Sequence, residues 1–126
     1  MKFARRVFWY AGIYGLVVLL PQYFLESRIG QDEPPAITHP EYFYGFIGVA
    51  TAWQVAFLLM SYDPARYRVL MIPSVLEKLS FAAAVAALYL LGRASVKLLC
   101  FGTIDLVCAL LFIEAYRRTK PATGGA

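Results

Sequence analysis

The stretch VLMIPSVLEKLSFAAAVAALYLL, from Val69 to Leu91, carries two charged residues, Glu77 and Lys78, in the middle of an otherwise apolar run. A helix needs ~20 mostly apolar residues to cross the hydrocarbon of a bilayer, and this run is long enough. Three more segments qualify: Val7 to Leu25, Tyr42 to Tyr62 and Leu98 to Tyr116. The reading is therefore all-α: a polytopic membrane protein folded as an antiparallel four-helix transmembrane bundle. One four-span domain occupies residues 1–120, and the tail 121–126 (PATGGA) is expected to be disordered.

Composition demands the same answer. The 126 residues are 60% hydrophobic and only 16% charged, with a mean hydropathy of +0.60. Soluble domains are roughly 45–50% apolar and about 25% charged. A soluble chain this short has too little interior to hide so much apolar surface, so lipid must cover it. The net charge of +4 does not point to nucleic acid, because the basic residues flank apolar runs and form no stripe along a polar segment. Cys100 and Cys108 fall on one helix, ~12 Å apart along its axis, too far for a disulfide, and read as packing residues.

The same basic flanks set an expected orientation. With the N-terminus inside, the inner set is Lys2, Arg5, Arg6, Arg66, Arg68, Arg117, Arg118 and Lys120. The outer set is only Arg28, Arg93 and Lys97. A Lys/Arg excess marks cytoplasmic loops, so both termini are expected in the cytoplasm. Phe8, Trp9, Tyr62, Tyr67 and Tyr116 would form the inner aromatic belt, and Tyr23, Phe24, Tyr42, Phe43, Tyr44 and Tyr89 the outer one. Lys2, Arg5 and Arg6 before an apolar run also resemble a signal peptide, but no small-x-small cleavage site follows and a retained helix is expected. The stretch ESRIGQDEPPAITHPE (Glu26 to Glu41) reads as an external loop too proline-rich for a long helix. DPARYR and GRASVK are turns short enough to make successive spans antiparallel.

Ionisable groups inside a span cost ~2.5–3.5 kcal/mol on insertion scales and face protein or a water-filled cavity. At ~1.5 Å per residue from the inner end of each span, Tyr14 lies ~10 Å deep, Gln54 and Glu77 ~12 Å, Lys78 ~14 Å and Asp105 ~16 Å. All four helices thus bring a polar group to one layer. Gly48, Thr51 and Gln54 recur at three-residue spacing, as do Ser74, Glu77 and Ser80 with Ala84 beyond. Such small and hydroxyl residues favour helix contacts in lipid and point Gln54 and Glu77 inward. Glu77 and Lys78, ~100° apart on the helix, are not expected to face each other. Lys78 either snorkels toward the inner face or reaches Asp105, which would leave Glu77 as an uncompensated acid.

The layer has two readings, a ligand pocket or proton-accepting site, and an ion pair that fixes helix register. The sequence carries no G-x-S-x-G, phosphate loop or H-E-x-x-H. His39 could join Asp32, Glu33 and Glu41 around a metal, but its place before Pro40 in a loop favours a solvated side chain. No catalytic residue, metal or cofactor is implied.

YGFIGVA (Tyr44 to Ala50), DPARYR (Asp63 to Arg68) and IDLVCALLF (Ile104 to Phe112) resemble the DoxX-like group of small four-helix bacterial membrane proteins, over the last two thirds of the chain. The resemblance implies a bacterial cytoplasmic-membrane location and an accessory role near redox or quinone metabolism. It carries over no catalytic residue, and the Glu77-Lys78 pair maps onto no family motif. The expected function is that of an accessory subunit or a binder of a lipid-like or quinone-like molecule within the bundle. The alternative is a membrane enzyme or proton-coupled carrier that uses Glu77 and Asp105 on a hydrophobic substrate. Expected partners are membrane lipids, a hydrophobic small molecule, and a larger membrane complex or further copies of the chain.

The orientation is testable with single cysteines in a background lacking Cys100 and Cys108. A membrane-impermeant maleimide added to intact cells should label Thr38→Cys and spare Asp63→Cys; the reverse pattern would invert the bundle.

Overall fold

The structure, a computed structural model, describes residues 2–121. Five α-helices account for most of them: α1 (Lys2–Leu19), α2 (Glu26–Asp32), α3 (Pro40–Tyr62), α4 (Met71–Leu90) and α5 (Val96–Arg118). A 3-10 segment, Leu20–Phe24, prolongs α1, and another, Arg68–Leu70, leads into α4. Four helical stretches are long and apolar enough to cross a membrane: Lys2–Phe24, Pro40–Tyr62, Arg68–Leu90 and Val96–Arg118. They pack antiparallel and differ from the expected spans by a few residues at the ends. From residue 122 onward the expected disordered tail lies outside the described residues.

Local sequence explains most of the boundaries. Pro21 ends regular α-helix in the first span, because its ring clashes with the preceding turn and it has no N–H to donate; the chain tightens there into 3-10 geometry. Pro40 opens α3 at a position where a missing N–H costs nothing. Past α4, Gly92 adopts φ +73°, and the amides of Gly92 and Arg93 turn back to the carbonyls of Tyr89 and Leu88 at 3.0 and 2.7 Å. Only glycine takes that left-handed cap without strain. The Ser95 hydroxyl then caps α5 by accepting the Leu98 amide at 3.2 Å. The expected outer loop holds a short helix, α2, tied down at two points. Tyr44 donates to Glu26 at 2.9 Å, and Ser95 donates to Glu33 at 2.6 Å.

The helices associate as two close pairs, α1 with α3 and α4 with α5, joined mainly through α1 and α5. Lipid tails are as apolar as leucine, so close van der Waals fit has to hold such pairs together. Glycine supplies it. A Cβ on Gly12 would meet the Leu58 side chain at 2.8 Å, and one on Gly102 would meet Val85 at 3.2 Å. α3 and α4, although joined by the short DPARYR turn, do not pack backbone to backbone. They meet through side chains: Ser74 on Met60 (3.8 Å), and Phe46 stacked on Phe81 (6.3 Å between centroids).

At the end carrying both termini the interior is dry. Phe8 stacks on Phe112 at 4.3 Å and tilts against Phe57 at 6.0 Å; Met60 and Met71 complete this core. Phe8 is thus a core residue and not part of an aromatic belt, because α1 turns that face toward α5. Arg68 closes the same end. Its Nε donates to the carbonyls of Thr119 (2.6 Å) and Tyr116 (3.3 Å), and its guanidinium lies 3.7 Å from the centre of the Tyr116 ring. Free carbonyls at the end of α5 are satisfied by this residue from the 3-10 segment that leads into α4.

Gly102→Leu should push α4 from α5 and destabilise the protein by about 1–3 kcal/mol, the usual cost of overpacking. Gly45→Ala, where an added Cβ meets nothing within 4 Å, should be neutral or stabilising. Thermal unfolding in detergent checks both.

Candidate functional site

The inward face of α4 is set by Met71, Ser74, Lys78 and Val85. Its spacing of three, four and seven holds one side of a helix with 3.6 residues per turn. The expected stripe Ser74–Glu77–Ser80–Ala84 drifts off that side, and Ser80 and Ala84 are exposed. Lys78, at 4% exposure, is consequently the more buried member of the Glu77-Lys78 pair.

Lys78 does not snorkel. Its Nζ lies 3.6 Å from Asp105 Oδ1 and 3.8 Å from Glu77 Oε2, with the Phe57 ring centre at 5.4 Å. The expectation that the two neighbours cannot meet is therefore corrected. Cβ directions differ by ~100°, but two long side chains bend into the same space when both lack water. Glu77 is likewise not left without a cation. One ammonium serves two carboxyl groups from two helices.

Gln54 joins this group from α3. It is 1% exposed, its Nε2 donates to the Ala50 carbonyl at 2.9 Å, and its Oε1 has no partner. The amide lies directly over Gly15, where any Cβ would overlap it. Glu77 Oε2 and the Thr51 hydroxyl are also buried without a hydrogen bond. A buried polar atom left so costs about 1–3 kcal/mol.

Above these groups lies a cavity of about 630 Å³. Tyr14, Gln54, Glu77, Lys78 and Asp105 all contribute to its wall, so the structure brings together all five residues singled out from depth alone. Tyr14, half-buried, also borders a smaller hollow of 340 Å³ between α1 and α5 that reaches Cys108. The sides of the main cavity are apolar, from Val18 and Leu19 of α1, Phe46, Val49 and Trp53 of α3, Phe81 of α4, and Leu98 and Phe101 of α5. Ile29 and Asp32 of α2 and the following Glu33, with Lys97, line the end remote from the termini. Phe46, Val49 and Ser80 border the cavity and are themselves exposed. The gap between α3 and α4 is thus a lateral cleft toward the surroundings.

Depth estimates could not have found Gly15, the Phe46–Phe81 pair or the α2 cover. The small residues Ala4, Ala11, Gly12 and Gly15 on one side of the first helix did carry a signal, marking where another helix approaches closely. Glu114 lies apart from the layer and binds Arg117 and Arg118 at 2.8 and 2.9 Å. His39 meets Glu41 at 3.0 Å and stacks on Tyr42. Among the described residues no three His, Cys, Asp or Glu side chains group as a metal site would require.

No family model matches the chain, nor does any curated protein or solved structure. Fold and composition define a small polytopic membrane protein with four candidate spans.

Removing the cation while both carboxyl groups stay buried should be costly. Lys78→Met should destabilise the bundle by about 3–5 kcal/mol. Adding Asp105→Asn to Lys78→Met should recover part of that loss, as a thermal-unfolding double-mutant cycle would show.

Proposed function

We propose that this protein lies in the cytoplasmic membrane with both termini inside and holds a lipid-like or quinone-like molecule in the cavity between its helix pairs. The carrying observation is a cavity of about 630 Å³ with apolar sides and polar groups gathered at its floor and at its far end. Small-molecule sites fall at ~300–1,000 Å³, with mostly apolar walls and a few polar groups that orient the ligand. The α3–α4 cleft provides a path from the bilayer that bypasses water. The Lys/Arg bias supports the orientation, and the DoxX-like resemblance supports the bacterial setting and an accessory role.

A catalytic role for Glu77 and Asp105 draws less support, because Lys78 engages both carboxyl groups. Binding needs only what the cavity already offers.

Protein extracted from native membranes in mild detergent should retain an apolar molecule in near-stoichiometric amount, detected by solvent extraction and mass spectrometry. Val49→Trp, which directs an indole into the cavity from an exposed position, should lower that amount several-fold without lowering thermal stability. A wild-type protein that retains nothing, in a range of mild detergents, would refute the proposal.

A further inference from the structure

The floor of the cavity holds buried acceptors that no donor of the chain reaches, and these specify the ligand's polar end. Gln54, which borders the cavity, donates one amide N–H to the Ala50 carbonyl of its own helix, and its buried Oε1 has no partner. Glu77 Oε2 is equally without a hydrogen bond. The single ammonium of Lys78 is stretched between two carboxyl groups at 3.6 and 3.8 Å, beyond good hydrogen-bond length for either. The floor therefore holds one carboxyl group more than it has cations, and two buried acceptors without a hydrogen bond.

Resting on the binding role proposed above, we infer that the occupant is an amphiphile whose polar end donates hydrogen bonds, with a protonated amine as the best match. Such a group supplies both the missing donors and the missing positive charge. An ester, a carbonyl or a carboxylate supplies neither, and a carboxylate adds a third negative group to the floor. Inserted polar end first, the molecule reaches Gln54 and Glu77 by a small rotation of their side chains. Its apolar chain then lies along Val18, Val49 and Phe101 and leaves through the α3–α4 cleft beside Phe46 and Phe81. Charge-assisted hydrogen bonds are worth roughly twice neutral ones, so an amine should outrank an alcohol of equal length.

The test uses the full chain in maltoside detergent, delipidated, with four dodecyl probes of matched length: dodecylamine, dodecanol, methyl dodecanoate and dodecanoate. Native mass spectrometry and quenching of Trp53, read against a Trp9→Phe variant to remove the second indole, report binding. Dodecylamine should bind most tightly, dodecanol about tenfold more weakly, and the ester and carboxylate weaker still. Glu77→Gln should cost the amine about tenfold and leave dodecanol nearly unchanged. If the ester or the carboxylate binds as well as the amine, the assignment of a donor-bearing polar end is wrong while the cavity remains a binding site. If none of the four binds, both the binding role and this inference are overturned.

Discussion

Three ionisable side chains at one depth of two apolar helices, α4 and α5, impose the central constraint on this molecule. Lys78 has to find negative charge inside the bundle, and Asp105 and Glu77 have to find a cation. The arrangement that serves all three here turns α4 so that Lys78, rather than Glu77, points most directly inward. That rotation places Val85 against Gly102, Ser74 against Met60 and the Lys78 ammonium over Phe57. The polar floor and the aromatic core beneath it are therefore two results of one choice of helix face. The cavity is a third, since the same rotation leaves the space above Lys78 bordered from α4 by only Ser80 and Phe81.

Hydropathy made the four spans legible, because a bilayer's thickness sets a length and the chain meets it four times. Depth counting made the polar layer legible as well, since helical rise converts residue number into distance with little error. Which faces meet was not legible. Periodicity describes each helix alone, and a three-residue repeat such as Ser74–Glu77–Ser80 slips round the helix by ~60° at each step. The fate of Lys78 depended on a partner helix for the same reason, and so did Phe8, whose place in the sequence suits an interface but whose face belongs to α5. The α3–α4 gap was hidden most completely. A short turn announces that two helices are neighbours in order, yet says nothing about how closely their backbones approach.

Glycine settles that second question. Gly12 and Gly15 bring α3 onto α1, and Gly102 brings α4 onto α5. On the line between the two pairs, contact depends on longer side chains instead. Gln54 illustrates the trade: Gly15 makes room for its amide, which closes α1 against α3 but spends the space that a hydrogen-bond partner would need. The unpaired oxygen is a by-product of close packing at the edge of a cavity, where a ligand atom can satisfy what the protein does not.

The absence of backbone packing between α3 and α4 also has a mechanical meaning. The molecule resembles a book whose spine is the contact of α1 with α5 and whose outer edges, tied at one end by the DPARYR turn, meet through side chains such as Phe46–Phe81, Ser74–Met60 and Lys78–Phe57. Separating those edges breaks side-chain contacts while both glycine-fitted covers stay intact, so this is the softest deformation the bundle possesses. Anything lodged between the covers touches both of them. Its binding energy adds directly to the stability of the closed book, and emptying it leaves the two halves of the chain freer to part.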